Sequence, residues 1–409
     1  MKALFLTYCY PPLRYPRSIQ ISRLVKFLDI PVHVVCASGR AHEPIDPTIV
    51  QEKEGKPQAI QRLTESGWRQ VMHRYRDLVL PEYWGIPDAN RSWSFRAART
   101  ILAKGWLQDT DLLVTFGQPM STHLAGLEIR KQVNIPWLAH FSDPWVDNPL
   151  DTAHGMDIWL KRRMEHAVLE QVDGAIFTSA ETVDLVMAKY PAAWRQKVGV
   201  VAHGFDPTAF PATTEIRSPG HPVVLRYLGN FYGNRTPQAL FLALARLAER
   251  QPRILDDVRI ELHGDFSPTV LARTGLQSLL LHTLSIHRPV SYQRSLELMA
   301  SADLLLVLDA PAQTSVFLPS KLVDYIGAGR PILGLTPPGA AATLIERLGG
   351  WVAPPDNPGL AAASLAQAIA RVRDNPPTLP WGDADVRQQY HGSQVAGQMA
   401  AWMQRVAKR

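Results

Sequence analysis

Short apolar runs alternate with segments of helical periodicity along most of the chain, and the whole alternation restarts near the middle. This is the pattern of parallel sheets covered by helices, and its recurrence predicts two such sheets. In the first half the strand candidates are KALFLT (2–7), PVHVVC (31–36), DLLVTF (111–116), PWLAHF (136–141), GAIFTS (174–179) and KVGVVA (197–202). IQISRLVKFL follows Ser18, read as an N-cap, while STHLAGLEIRKQ and DIWLKRRMEHAVLEQV have apolar spacings of three and four. In the second half VVLRYL (223–228), VRIELH (258–263), TLSIH (283–287), ADLLLVL (302–308) and PILGL (331–335) are strand candidates. Thr236 is expected to cap the first helix of that half, with Pro237 at its first position.

At 409 residues the chain is long enough for two or three domains. Residues 203–222, rich in Pro, Gly and Thr, mark a seam. The expected architecture is α/β, with two Rossmann-like doubly wound domains facing across a cleft. Their expected bounds are 1–205 and 206–385, and a C-terminal helix in 386–409 is expected to pack back on the first domain. Hydrophobic residues at 46% and charged residues at 20% exclude a disordered or collagen-like chain. No apolar run reaches the ~18–20 residues of a membrane span, and MKALFLTYCYPP reads as a strand rather than a signal peptide. Two cysteines, Cys9 and Cys36, form no metal knuckle or disulfide framework, which points to a reducing, cytoplasmic setting. The net charge of +6 suits phosphates or anionic lipid and is too small to argue for nucleic acid.

Two segments carry candidate chemistry. In YLGNFYGNRTPQALFLAL a strand ends at Leu228, Gly229 and Gly233 permit a tight turn, and Arg235 precedes a helix. Exposed amides at a helix N-terminus beside an arginine suit a diphosphate, although a plain strand-helix turn would look the same. The segment is neither G-x-G-x-x-G nor a Walker loop, which disfavours NAD and ATP. In SVFLPSKLVDYIGAGRPILGL, Ser320 is expected to cap a helix beginning at Lys321, with Asp324 one turn in and Gly329 and Pro331 ending it. Lys toward phosphate and Asp toward ribose hydroxyls would fit a nucleotide; an ordinary i, i+3 surface pair fits the spacing equally.

The second segment resembles the donor-site signature of glycosyltransferase family 4, P-S-K-L-x-E-Y-x-x-x-G-x-P, matched by Pro319, Ser320, Lys321, Leu322, Asp324, Tyr325, Gly329 and Pro331. The resemblance continues through Gly229, Arg235 and Pro237, through VVAHGFDPTAF before the seam, and through IPDANRSW and LAHFSDPW in the first half. It implies the GT-B fold and retaining, metal-independent transfer of a hexose-type sugar from a nucleotide sugar. That donor is a substrate, so no cofactor is expected, and with no H-E-x-x-H and no D-x-D beside an apolar strand no metal ligand is expected. Donor contacts are implied at Gly229, Asn230, Arg235, Pro289, Val290, Ser320, Lys321 and Asp324. Catalytic roles fall on His140, Arg235 and Lys321, and the acceptor or phosphate side on Arg17 and Asp143. Two departures stand out. The first of the family's two acids falls at Val316, so that either amides around Ser315–Phe317 substitute or the donor sugar is held differently. The loop YPPLRYPRS lacks the family's Gly-Gly turn, leaving Arg17 or Arg14 to supply positive charge.

The stretch Ile60–Trp106 holds eight basic residues against four acidic ones and four tryptophans. Trp68, Val71, Met72 and Tyr75 at helical spacing fit an interfacial helix on an anionic membrane, and they fit equally an insertion packed on the first domain. Lipid-linked acceptors, common in the family, favour a peripheral position on the inner face of the membrane. The function implied is sugar transfer to a saccharide or lipid-linked acceptor in surface polysaccharide or glycolipid synthesis. Alternatives are a nucleotide-sugar epimerase of the same fold and a catalytically idle nucleotide-sugar-binding subunit.

Overall fold

The computed structural model describes residues 1–49, 57–64, 86–149, 155–211, 220–231, 234–265, 283–374 and 379–408. Trp68, Val71, Met72, Tyr75 and Gly233 lie outside the described residues. The chain divides into two compact units: Met1–Gly204 together with Gly392–Arg409, and Phe205–His391.

Among the described residues the first unit carries seven parallel strands: β1 (Ala3–Leu6), β2 (Val32–Ala37), β3 (Ala59–Leu63), β4 (Leu112–Phe116), β5 (Trp137–His140), β6 (Gly174–Phe177) and β7 (Val198–Val200). Their order is β3-β2-β1-β4-β5-β6-β7, with Phe5 beside Val114 and Thr115 beside Ala139. β1, β4, β5 and β6 are buried along their full lengths, as expected where helices cover both faces. The helices are α1 (Pro16–Phe27), α2 (Arg91–Ala103), α3 (Ser121–Arg130), α4 (Met156–Gln171) and α5 (Ala180–Met187). β3, AIQRL, escaped the sequence pattern because it is an edge strand whose middle residues are all exposed. It lies largely inside the basic stretch, where Arg62, Arg99 and Lys104 are exposed while Trp93 turns inward. Trp93 is 1% exposed, edge-on to Tyr8, and donates its indole N–H to the Leu63 carbonyl.

The second unit carries six parallel strands among its described residues: β8 (Val223–Leu228), β9 (Val258–His263), β10 (Leu284–His287), β11 (Leu304–Leu308), β12 (Ile332–Leu335) and β13 (Trp351–Ala353), in the order β10-β9-β8-β11-β12-β13. Its helices are α6 (Gln238–Arg250), α7 (Tyr292–Ala300), α8 (Ser320–Ala328), α9 (Ala340–Arg347), α10 (Pro358–Asp374) and α11 (Ala384–Gln389). Together the two sheets give the α/β architecture expected of the chain.

Three helix starts differ from expectation. Pro16, favourable in a first turn, opens α1 two residues before Ser18, which is helical and buried. α6 begins at Gln238, with Pro237 in the capping position and the Thr236 hydroxyl accepting from the Gln238 amide at 3.4 Å. Ser320 is the first helical residue of α8 and does not cap it; Pro319 holds that position with extended backbone.

The helix α12 (Gly392–Ala407) follows the second unit in the chain and belongs to the first. Val395, Met399, Met403 and Val406 recur at helical spacing and enter the core beneath β4 and β5, beside α1. Gly199 on β7 makes room for this helix, since a Cβ there would lie 2.2 Å from the Trp402 indole.

Candidate functional site

In doubly wound sheets ligands settle beyond the carboxyl ends of the strands, where the strand order reverses. The first unit reverses between β1 and β4 and the second between β8 and β11. Each reversal holds a cluster of polar side chains, and between them these clusters contain most of the residues singled out from sequence.

In the first unit Arg17, the second residue of α1, is only 4% exposed. Its Nε donates to the Gly117 carbonyl at 2.9 Å, Nη1 to Gln20 Oε1 at 3.2 Å and Ser142 Oγ at 3.4 Å. Nη2 donates to His140 Nδ1 at 2.9 Å and to the His140 carbonyl at 3.1 Å. The guanidinium also lies 5.3 Å from the centre of the Phe116 ring. Burial lowers its pKa to about 10, against the opposing pull of Asp143, so it remains a cation at neutral pH. Arg14, the other arginine of this loop, is exposed.

His140 ends β5 and is buried. Burial first, and then the Arg17 charge, hold its pKa well below the ordinary histidine value. The ring is therefore neutral. Because Nδ1 accepts from Arg17, the hydrogen bond assigns the ring proton to Nε2. His203 stacks beside it, with centroids 6.2 Å apart and planes at 20°, and its Nε2 lies 3.2 Å from Ser142 Oγ. Burial and the charges of Arg17 and Arg23 keep it neutral too. Asp143 is half-buried and accepts from the Gln118 side chain. His203, Ser142 and Gln20 were not singled out from sequence. His203 follows β7, and its position just beyond a strand end was the signal that could have found it.

In the second unit Gly229 follows β8 with φ +143°, a conformation that favours glycine. A Cβ there would also lie 2.6 Å from Lys321 Nζ, so the missing side chain is what lets the ammonium rest against the turn. Lys321, half-buried in the first turn of α8, donates to the Tyr227 hydroxyl at 2.6 Å and lies 3.9 Å from the centre of that ring. Loss of hydration, and then the nearby Arg235 charge, push its pKa well below the ordinary lysine value, with Asp309 opposing. One turn on, the Tyr325 hydroxyl accepts from the Leu228 amide at 3.1 Å, tying α8 to the end of β8. Asp324 is 8% exposed.

Arg235 is buried against Asp309, to whose Oδ1 it donates from Nε at 3.0 Å and Nη2 at 2.8 Å. The Ala310 amide donates to the same oxygen at 3.0 Å. Asp309 was missed in the sequence, although an acid directly after the apolar run LLLVL marks the carboxyl end of β11. Gly229, Arg235 and Lys321 thus sit around one switch point, while Pro289 and Val290 follow β10, two strands from β8 in the sheet. Asn230 Oδ1 accepts from the Asp265 amide at 3.2 Å. At the position of the family's first acid, the Ser315 amide donates to the Pro338 carbonyl at 2.8 Å, which removes it from the amides expected to replace Val316. Beside this cluster the His263 and His287 rings stack at 4.5 Å, and Glu261 is bound by Arg226 at 2.7 Å.

Among the described residues no group of three or more His, Cys, Asp or Glu could hold a metal ion, and no helix is long and apolar enough to cross a membrane. No family model and no curated protein sequence matches the chain. Solved structures do. Sucrose-phosphate synthase from Thermosynechococcus elongatus aligns with 99% of this chain and 99% of its own, at 15% identity and TM-score 0.65. HepE of Anabaena, in complex with UDP, aligns over 99% of this chain and 100% of its own, at 15% identity and TM-score 0.66. A putative UDP-N-acetylglucosamine 2-epimerase from Listeria monocytogenes aligns over 98% and 95%, at 11% identity and TM-score 0.57. With full-length likeness to such proteins and a doubly wound sheet in each of its two units, the chain has the GT-B fold.

Proposed function

We propose that the chain is a retaining, metal-independent glycosyltransferase that moves a hexose-type sugar from a nucleotide sugar to a saccharide or lipid-linked acceptor in surface polysaccharide or glycolipid synthesis. The observation that carries this reading is Lys321, an amine pressed against the Gly229 turn with a neutral phenol as its hydrogen-bond partner. Its proton affinity is depressed in the bare protein. A diphosphate would supply the anion that restores it, so binding and charging of the lysine are coupled. Arg235, oriented by Asp309, adds a second positive group at the same switch point. Preorganised cations act where negative charge develops, here on the departing nucleoside diphosphate. Likeness in fold to HepE, which is known in complex with UDP, supports a uridine nucleotide as the first donor to try.

His140 fits a role beside the transferred sugar as a neutral Nε2–H donor, with Asp143 nearby on the same loop. The acceptor's proton then leaves on the diphosphate rather than on this ring, whose basicity is suppressed. Under this reading Pro289 and Val290 offer main-chain contacts to the nucleotide base, Ser320 and Asn230 line the donor, and Asp324 meets the ribose.

Val316 at the position of the family's first acid favours a second reading, an idle nucleotide-sugar-binding subunit. Calorimetric titration with UDP and UDP-glucose, followed by assay of released UDP in EDTA, separates the two. Transferase function requires binding that falls at least tenfold, about 1.4 kcal/mol, in Lys321→Ala or Arg235→Ala, and turnover that survives the chelator. Binding without any turnover would establish the idle subunit. Turnover lost in EDTA and restored by Mg²⁺ would refute metal independence.

A further inference from the structure

Tyr227, the last residue but one of β8, is fully enclosed at 0% exposure. It offers no surface to a ligand, so any part it plays in binding passes through its neighbours. Its hydroxyl lies 2.6 Å from Lys321 Nζ and its ring centre 3.9 Å from the same atom. The Phe231 ring stacks on it, with centroids 4.5 Å apart and planes at 12°. We infer that Tyr227 is a positioning residue, which holds the Lys321 ammonium against the Gly229 turn, ready for the donor diphosphate. The inference rests on the nucleotide-sugar reading above and adds the group that aims its cation.

Two consecutive residues of β8 grip α8 one turn apart. The Leu228 amide donates to the Tyr325 hydroxyl at 3.1 Å and fixes the helix, while Tyr227 fixes the side chain that leaves its first turn. The grip on the helix does not use the Tyr227 oxygen, so deleting that oxygen should free only the ammonium. A lysine side chain has much rotamer freedom, and ordering it before the ligand arrives removes that cost from binding. A phenol suits this place because it is neutral. A carboxylate would cancel the charge that a diphosphate needs, whereas a phenol oxygen and a ring face orient an ammonium without neutralising it. A phenylalanine would fill the same space and offer no acceptor.

The test is a double-mutant cycle on the full chain, with UDP as the probe and calorimetry as the readout. Tyr227→Phe keeps the ring and should raise the UDP dissociation constant about three- to tenfold, the effect of losing one hydrogen bond. In the Lys321→Ala background the same change should move it by less than about twofold, because the group being positioned has gone. A residue that serves only the fold would act by the same factor in both backgrounds, and that additivity would overturn the inference.

The pH profile is a second readout. The phenol oxygen accepts from the charged amine, so removing it favours the neutral amine, as burial and Arg235 already do and as Asp309 opposes. The alkaline decline of UDP affinity should therefore begin at lower pH in Tyr227→Phe; an unmoved decline would also overturn the inference. Should Tyr227→Phe not melt cooperatively, Tyr227→Met carries the same cycle. UDP binding that weakens in Lys321→Ala and not in Tyr227→Phe removes this inference alone. Wild-type protein that ignores UDP, or UDP binding indifferent to Lys321→Ala, removes the donor-site reading and this inference with it.

Discussion

The two switch points solve opposite electrostatic problems with similar residues. In the first unit the cation is saturated: Arg17 spends its guanidinium on Gly117, Gln20, Ser142 and His140, and so fixes two neutral histidines. In the second unit Lys321 has a phenol and an aromatic face, and its charge is suppressed by lost hydration and by Arg235. A saturated cation is part of the scaffold. A cation left short of anionic partners stores affinity for one that arrives from outside. The difference teaches that residue type alone does not mark a phosphate site; what matters is how far the protein has already satisfied the charge.

The sharpest way to break this contrast is Lys321→Ala. Turnover should fall by about 10²–10³, or roughly 3–4 kcal/mol of barrier, while the melting temperature barely moves. A large loss of stability with intact turnover would place Lys321 in the scaffold instead. Arg17→Met should do the reverse, destabilising the chain by about 2–4 kcal/mol because buried acceptors on Gly117 and His140 lose their donor, with UDP affinity retained. Denaturant melts and calorimetry on the one variant decide it. NMR titration of that variant should also show the His140 pKa moving up toward the ordinary range, since a neighbouring cation has gone.

Asp324→Asn is a finer probe of the second cluster. If the acid accepts from ribose hydroxyls, the donor dissociation constant should rise about five- to thirtyfold, with less effect on a 2′-deoxy donor. Unchanged affinity with a slightly lower melting temperature would reduce Asp324 to helix stabilisation. The smallest effect is expected at Glu261, whose carboxyl is held at about 2, below its ordinary 4.5, by the His263 ring, with Nε2 3.7 Å away, and by the Arg226 guanidinium at 2.7 Å. A depressed carboxylate stabilises the fold above its ordinary pKa, and that stability fades as pH falls from about 5 toward 2. Glu261→Gln should flatten this acid limb, measured as melting temperature against pH.

Most of the strands were legible because buried parallel strands read as unbroken apolar runs, as LLLVL at β11 does. β3, with Gln61 and Arg62 exposed, does not read this way and was invisible, as was the three-residue edge strand β13, whereas the edge strands β7 and β10 were read. At the site, Lys321 and Arg235 stood out as cations at helix entries after strands, and it was the resemblance to the donor-site signature that decided against ordinary surface residues. Their partners did not stand out. Asp309 pairs with a residue 74 positions away and His203 with Ser142 61 positions away, and no local spacing encodes either.

The return of the helix Gly392–Ala407 to the first unit has a consequence for the order of synthesis. The second unit is one continuous piece, Phe205–His391, and can close as soon as it has left the ribosome. The first unit cannot. For the time needed to make nearly two hundred residues, its sheet emerges without the helix that covers Phe116 and Leu138. At roughly 5–20 residues per second, that uncovered face persists for about ten to forty seconds and is the natural place for a chaperone to bind.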